Sequence, residues 1–290
     1  MSLSRPSLLA SLGAAFVAAC SPLTAFNTLA PRDPAQRLAR DVAYGPLERQ
    51  SLDVYAPKAR ASTGAKPAPV LVFFYGGGWD SGRRQDYAFV GQALAAQGFV
   101  TVVPDYRLYP QVRYPDFLTD GALAIRWARD HAAQYGGDPN RILLAGHSAG
   151  AYNAVMLGLD ADLLRKAGVD PAAIKAVAGL AGPYNFLPLD VKSTIDTFGQ
   201  YPDLPATQPY SYVRADAPPM FLAWGDADTV VGRQNIERLA PALRDAGASV
   251  EVRLYPKVDH AGLVLALSRP FRGKGAVLQD MTAFLKAHAG

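Results

Sequence analysis

One pentapeptide in this chain holds a serine in a setting that favours a nucleophile. Gly146-His147-Ser148-Ala149-Gly150 follows the apolar run "RILLA" and leads directly into "AYNAVM". In a G-x-S-x-G turn between a strand and a helix, small flanking residues let the two elements approach, and the serine hydroxyl stands at the carboxyl edge of a sheet. The N-terminus of the following helix stabilises negative charge that develops there. We therefore predict that Ser148 is a nucleophile, the alternative being a purely structural turn.

A serine hydroxyl needs a base to remove its proton before it attacks a carbonyl carbon. The chain has four histidines. His147 adjoins the serine and is expected to point away from it, while His131 and His288 are expected near the surface. His260 follows the last predicted strand, in a loop that can reach the edge of the sheet where Ser148 is placed. Elimination and position therefore both indicate His260.

A carboxylate must orient the histidine ring and stabilise it when it is charged. The segment "FLAWGDADTVV" offers Asp226 and Asp228, in the loop after the preceding strand. Both could present a carboxylate to His260, and their positions alone do not separate them. Asp259 is too close to His260 along the chain to orient its ring, so we expect it at the surface.

Three consecutive glycines, Gly76, Gly77 and Gly78, follow the apolar run "PVLVFFY". Glycine loses more conformational freedom on folding than any other residue, so three at a strand end need a reason. Attack on an ester carbonyl makes an oxyanion, which preorganised N–H donors stabilise. Ala149, the residue after the nucleophile, supplies one donor. We predict that the glycine loop supplies the others, because its amides can approach the oxygen with no Cβ in the way.

These segments resemble the α/β-hydrolases of the esterase and lipase branch related to hormone-sensitive lipase, over residues 45 to 288. The matching motifs are "YGGGW", "YRLYP…YPDFLTD", "GHSAG", "GDADTVV" and "DHAGL". The resemblance implies a serine carboxylesterase with the chain order serine, aspartate, histidine. Short-chain esters, aromatic esters and acylated sugars all remain open as substrates. Its implied site residues are the triad Ser148, Asp228 and His260 and the oxyanion donors Gly77, Gly78 and Ala149.

The chain departs from that branch at Tyr75, where most relatives have a histidine that braces the glycine loop. We expect the Tyr75 hydroxyl to supply this bracing. Arg107 and Asp120, in the "YRLYP" region, are expected to tie loops together. Trp79, Tyr184 and Phe198 are candidates to line an acyl or aromatic pocket, the alternative being core or lid packing.

Apolar strands separated by helical stretches predict a mainly parallel sheet with helices on both faces. Together with the resemblance, this pattern indicates the α/β-hydrolase fold. Residues 183 to 216 are rich in proline and tyrosine and too long for a plain connection. We predict that they form a short lid inserted between two strands.

The composition excludes several other classes of protein. The net charge is +4, and the basic residues are scattered, so no nucleic-acid partner is expected. No histidine pair at ligand spacing, P-loop or G-x-G-x-x-G motif occurs, so we predict no metal and no cofactor. An arylformamidase-like amide hydrolase remains an alternative. So does a non-catalytic binding protein on the same fold, although all three triad positions are filled.

The first 19 residues predict an export signal. Arg5 precedes an apolar, small-residue run over residues 8 to 19, which is shorter than the roughly 20 apolar residues that span a bilayer. The ending "VAAC" resembles the lipobox of bacterial lipoproteins and implies that Cys20 is lipidated. The alternative is an ordinary cleaved signal that leaves Cys20 as a free thiol.

Cys20 is the single cysteine of the chain, so an internal disulfide is excluded. Among bacterial lipoproteins, a serine such as Ser21 after the lipidated cysteine implies sorting to the outer membrane. We expect an exported protein held by its lipid at the outer membrane or on the periplasmic side. Residues 20 to 44 are predicted to be a tether, and residues 45 to 290 the hydrolase domain.

Overall fold

The structure, a computed structural model, describes residues 26–27, 29–58 and 66–290. Its centre is an eight-stranded sheet made of β1 Ala35–Ala43, β2 Ser51–Pro57, β3 Ala68–Phe74, β4 Val100–Pro104, β5 Gly137–His147, β6 Ile174–Leu180, β7 Met220–Gly225 and β8 Val250–Tyr255. The strand order is β1-β2-β4-β3-β5-β6-β7-β8. Strand β2 runs antiparallel to β1 and β4, and all other neighbours are parallel.

Helices follow most of the strands. They are α1 Ala88–Ala96, α2 Asp116–His131, α3 Ala149–Leu159, α4 Ala161–Lys166, α5 Lys192–Phe198, α6 Gln234–Asp245, α7 His260–Leu265 and α8 Val277–Ala287. Nearly every side chain of β3, β4, β6 and β7 is buried. Strands buried on both faces have continuous apolar sequences. The parallel pairing of six consecutive strands in the sheet, with helices between them in the chain, confirms the mainly parallel sheet and the α/β-hydrolase fold.

The helical periodicity of the sequence predicts two buried faces correctly. The helical spacing of Phe117, Gly121, Ala124, Trp127 and Ala128 predicts that they share one face, and in α2 all five are buried. The spacing of Val277, Met281, Phe284 and Leu285 near the end of the chain predicts an inward helix face in the same way, and all four are buried in α8. The run "AYNAVMLGLDADLL" predicts one helix after Ser148, but the structure has two. The Asp160 side chain accepts a hydrogen bond from Asp162 N–H and begins α4.

The prediction of a tether over residues 20 to 44 is wrong in its second half. Residues 35 to 43 form β1, which pairs antiparallel with β2 at the edge of the sheet. Most β1 side chains are exposed, so the segment lacks the apolar alternation that marks a strand. Phe26, ahead of β1, already packs against Phe89 and Phe271, with ring centroids 5.3 and 5.6 Å apart.

The predicted lid segment, residues 183 to 216, connects β6 to β7 and contains α5. Two tyrosine hydroxyls hold it to the domain. Tyr114 Oη donates to the Ala206 carbonyl at 2.9 Å, and Tyr152 Oη donates to the Thr207 carbonyl at 2.6 Å. Because Tyr152 belongs to the helix that follows Ser148, these bonds fix the lid beside the nucleophile.

The predicted signal peptide and Cys20 lie outside the described residues. Within the described ranges, no helix is long and apolar enough to cross a membrane.

Candidate active site

Ser148 lies in a strained turn between β5 and α3. Its backbone has φ 55° and ψ −124°, a combination that is costly for a residue with a Cβ. The turn is possible because its two glycines lack side chains. A Cβ on Gly146 would overlap the Gly150 carbonyl, and a Cβ on Gly150 would overlap the Phe74 carbonyl. Ser148 remains partly exposed at the end of the sheet.

Asp228 and His260 form the hydrogen bond expected of an acid and a base. His260 Nδ1 lies 2.8 Å from Asp228 Oδ2. The other carboxylate oxygen, Oδ1, accepts from the N–H groups of Val230 and Val231 at 2.8 and 2.9 Å.

Burial raises the pKa of Asp228, but the hydrogen bonds from His260 and from the Val230 and Val231 amides outweigh this effect and lower the pKa below its usual value. Asp228 is therefore ionised at neutral pH. Because a carboxylate only accepts, Nδ1 of His260 carries the proton and Nε2 has the free lone pair.

The two neighbouring aspartates are engaged elsewhere. Asp226 is exposed, and its Oδ1 accepts a hydrogen bond from Lys257 N–H. Asp259 caps α7, with Oδ1 2.6 Å from Gly262 N. The structure thus brings Asp228, and not Asp226 or Asp259, to the His260 ring.

The other three histidines occupy different settings. The Nδ1 atoms of His131 and His288 lie 2.9 Å from carbonyl oxygens one turn earlier in their own helices. For His147, the sequence predicts only that the side chain points away from the serine. Its Nε2 lies 2.9 Å from the carbonyl oxygen of His260, a contact between loops that no local sequence pattern indicates.

The glycine loop and the turn after Ser148 meet at one cavity. Gly77, Gly78 and Trp79 all have positive φ, at 136°, 59° and 63°. A Cβ on Gly77 would overlap the Ser81 carbonyl, so the loop requires glycine there. Gly78 and Ala149 line the same cavity as Ser148. Gly77, one residue earlier in the loop, is outside that lining.

Tyr75 is bound in the manner expected of a brace. Its hydroxyl donates to Asp105 Oδ1 at 2.8 Å and accepts from Arg49 Nη2 at 2.8 Å. Its ring stacks between Tyr87 and Tyr106, with centroids 5.4 and 4.8 Å away. Burial, with the charge of Asp105, raises the pKa of Tyr75 well above its usual value, so the hydroxyl remains a donor. The same Arg49 nitrogen also donates to the Gly82 carbonyl at 2.9 Å, beyond the glycine loop.

Arg107 and Asp120 tie the "YRLYP" segment to α2, as predicted. Arg107 Nε lies 2.9 Å from Asp120 Oδ2, and the Arg107 N–H lies 2.9 Å from the same oxygen. The buried Asp120 also accepts from Gln50 Nε2 at 2.8 Å. These bonds join the start of β2 and the end of β4 to α2, on one side of the strand that leads into the glycine loop.

The cavity at Ser148 has a volume of about 280 Å³. Of the three predicted pocket aromatics, Trp79 lines it, with its Nε1–H donating to Asn153 Oδ1 at 3.1 Å. Tyr184 and Phe198 are completely buried outside the lining, and the lid aromatic that does line it is Phe186. The structure therefore corrects the prediction for Tyr184 and Phe198, whose packing depends on tertiary contacts.

A larger cleft, of about 1100 Å³, lies elsewhere on the domain and contains none of these residues. Its lining includes the cationic side chains of Arg32, Arg37, Arg40, Lys58, Arg269 and Arg272. Among the described residues, no group of three or more His, Cys, Asp or Glu side chains is placed to hold a metal ion.

Comparison with known proteins agrees with this geometry. A model of the BD-FAE family matches residues 52–243, which include the glycine loop, Ser148 and Asp228. The chain belongs to the BD-FAE family. This is a family of α/β-hydrolase esterases, so the resemblance inferred from the motifs is confirmed.

Curated relatives of this BD-FAE chain include two esterases. Esterase LipC of Mycobacterium tuberculosis is 34% identical over 239 residues, covering 73% of this chain and 58% of LipC. A probable isoprenylcysteine alpha-carbonyl methylesterase of Arabidopsis thaliana, ICMEL1, is 31% identical over 257 residues, covering 81% of this chain and 52% of the relative. The chain thus spans between half and two thirds of the length of these relatives.

Solved structures share the fold. A truncated carbohydrate esterase from gut microbiota aligns with a TM-score of 0.78 at 22% identity, over 90% of this chain and 99% of its own. Esterase 2 of Thermogutta terrifontis with bound butyrate aligns with a TM-score of 0.70 at 25% identity, over 88% and 94%. Both support the α/β-hydrolase architecture of the BD-FAE chain.

Proposed function

We propose that this BD-FAE protein is a serine carboxylesterase that hydrolyses short-chain esters through an acyl-enzyme on Ser148. The observation that carries the proposal is His260, held by the buried, ionised Asp228 at the sheet edge where the strained Ser148 turn opens on a cavity. The esterase relatives support the same chemistry.

In the first half of the reaction, Ser148 Oγ attacks the ester carbonyl carbon while its proton passes to His260 Nε2. Asp228 holds the ring with Nδ1 protonated and stabilises the imidazolium that forms. The oxyanion is stabilised by backbone N–H groups of Gly77, Gly78 and Ala149 and by the N-terminus of α3. When the tetrahedral intermediate collapses, the ester C–O bond breaks and His260 returns its proton to the leaving alcohol.

In the second half, water replaces the alcohol. His260 takes a proton from the water as it attacks the acyl carbonyl, and the same N–H groups stabilise the second oxyanion. Collapse breaks the bond to Ser148, which regains its proton from His260. The carboxylic acid product leaves, and the triad is restored to its starting protonation state.

The cavity supports a small acyl group. Its volume of about 280 Å³ is at the lower limit of ordinary ligand pockets, and Trp79 and Phe186 restrict it. The Thermogutta terrifontis esterase 2 structures with bound propionate and butyrate support the same size range.

Aryl esters of rising acyl length test this proposal. We expect kcat/KM to be highest for acyl groups of about two to four carbons and at least about tenfold lower at about ten carbons, because one poorly accommodated methylene costs about 1–3 kcal/mol. The Ser148→Ala variant supplies the background rate. An aryl formamide in the same panel tests the amide alternative, and a preference for it or for long chains would contradict the proposal.

We also propose that the protein is exported and lipid-anchored through Cys20, on the strength of the "VAAC" motif. In the bacterium that produces it, the unsubstituted protein should partition with the membrane fraction. Cys20→Ala should move it to the soluble fraction with kcat unchanged, because the altered residue lies ahead of the hydrolase domain. Mass spectrometry of the mature N-terminus checks the lipid directly. Equal membrane association of both forms would refute the anchor.

A further inference from the structure

His147 occupies a position between two parts of the active site. The residue ends β5 immediately before Ser148, its side chain is buried, and its ring centroid lies 4.8 Å from that of His260. Gly76, the first residue of the glycine loop, lies on another side of the ring. A Cβ built on Gly76 would be 3.1 Å from His147 Nδ1 and 3.0 Å from Ser148 Cβ, so the loop backbone passes close to both side chains. The imidazole therefore packs against the start of the glycine loop and contacts the base.

The contact with His260 fixes the tautomer of His147. Its Nε2 lies 2.9 Å from the His260 carbonyl oxygen, which can only accept, so Nε2 carries the hydrogen. Nδ1 is then a lone-pair acceptor, and it is buried with no hydrogen-bond partner among the described residues. Burial, and then the positive charge that His260 carries when it is protonated, lower the pKa of His147 to about 3. The ring is thus neutral at working pH and acts as a fixed donor.

The carbonyl that receives this hydrogen bond belongs to the first residue of α7. Asp259 caps that helix from one side through the Gly262 amide, and Asp228 binds the His260 ring from another. Neither bond restrains the His260 backbone relative to Ser148. The bond from His147 does so, because His147 and Ser148 are adjacent in a rigid turn.

We propose that His147 is a positioning residue that holds His260 at the right distance from Ser148 through the hydrogen bond to the His260 carbonyl. The inference rests on the proposed esterase function, in which His260 transfers protons to and from the reacting oxygens. A displacement of about 1 Å at such a group can lower a rate by about 10²-fold.

Two variants separate positioning from packing. His147→Gln retains an N–H donor close to the place of Nε2, whereas His147→Leu retains an apolar side chain of moderate size and no donor. We expect the leucine variant to lose about 10- to 100-fold in kcat with KM within about twofold, and the glutamine variant to remain within about fivefold of the unsubstituted protein. His131→Leu is the matched control, since it removes a histidine–carbonyl contact of the same length away from the site.

The ratio of kcat/KM on two esters with different leaving groups gives a second readout. A smaller folded fraction would lower both values equally and leave the ratio unchanged. Methyl acetate releases an alkoxide that needs the proton of His260, whereas p-nitrophenyl acetate releases a stable phenolate that does not. We expect the leucine variant to lose more kcat/KM on methyl acetate than on p-nitrophenyl acetate, and the His131 control to lose neither. If circular dichroism shows that the leucine variant does not fold, His147→Asn replaces it in the test. The asparagine side chain is too short for its amide to reach the His260 carbonyl.

Equal activity of the glutamine and leucine variants, or an equal loss on both esters, would overturn the positioning role. A failure of the proposed esterase function would give a different result from either of these. The unsubstituted protein would then hydrolyse neither ester above the Ser148→Ala background, and the positioning role of His147 would be refuted as well.

Discussion

Replacing Ser148 with alanine is expected to lower the esterase kcat by about 10⁶-fold, as for nucleophile deletions in comparable triads. The variant lacks the oxygen that forms the acyl-enzyme, and His260 then has no hydroxyl to activate. Residual catalysis would come from the oxyanion donors and substrate binding alone. Alanine keeps the Cβ of serine, so the strained turn and its glycine contacts are unchanged.

The stability of this variant separates lost chemistry from lost structure. Because only a partly exposed oxygen is removed, the unfolding free energy should change by no more than about 0.5 kcal/mol. Circular dichroism and thermal unfolding check this, with Ser51→Ala in β2 as a matched serine control that keeps full activity. A Ser148→Ala protein with native dichroism and more than a few per cent of the activity would show that another residue is the nucleophile.

The features that could be predicted from the sequence are those set by local patterns. The strands β3 and β7 are continuous apolar runs, and β6 is interrupted only by Lys175. The periodicity of α2 and α8 marks their buried faces. The turn at Ser148 is marked by glycines that only a close backbone approach explains. Parallel strands then bring the loops of Asp228 and His260 to the same sheet edge, which is why elimination among four histidines succeeds.

The features that were missed depend on tertiary contacts. Strand β1 has exposed, charged side chains and is defined by its pairing with β2, which no local pattern reveals. Tyr184 and Phe198 pack into the core, and Phe186 reaches the cavity, although all three are aromatic residues of one lid segment. The contact of His147 with the His260 carbonyl joins residues more than a hundred positions apart and requires the folded sheet.

Replacing Asp228 with asparagine is expected to lower kcat by about 10⁴-fold near neutral pH, as the same change does in a comparable triad. Asp228 Oδ2 accepts from His260 Nδ1, and its pKa lies below the usual value, so the position carries a full negative charge at pH 7. An amide nitrogen in that place donates to Nδ1 and favours the tautomer with the proton on Nε2. His260 can then no longer accept the serine proton, and the imidazolium loses its counter-charge.

Asp226 provides the matched control in the same loop. Its exposed carboxylate accepts the Lys257 N–H, and the side-chain oxygen of asparagine can accept the same bond. We therefore expect Asp226→Asn to lower kcat less than about tenfold, mostly through a small change in loop stability.

In Asp228→Asn the side-chain oxygen can still accept from the N–H groups of Val230 and Val231, so the loop keeps its shape and only proton transfer is lost. Both variants should be measured with one short-chain aryl ester at pH 7, alongside their thermal unfolding. The reverse ranking would transfer the orienting role to Asp226 and leave Ser148 and His260 in place.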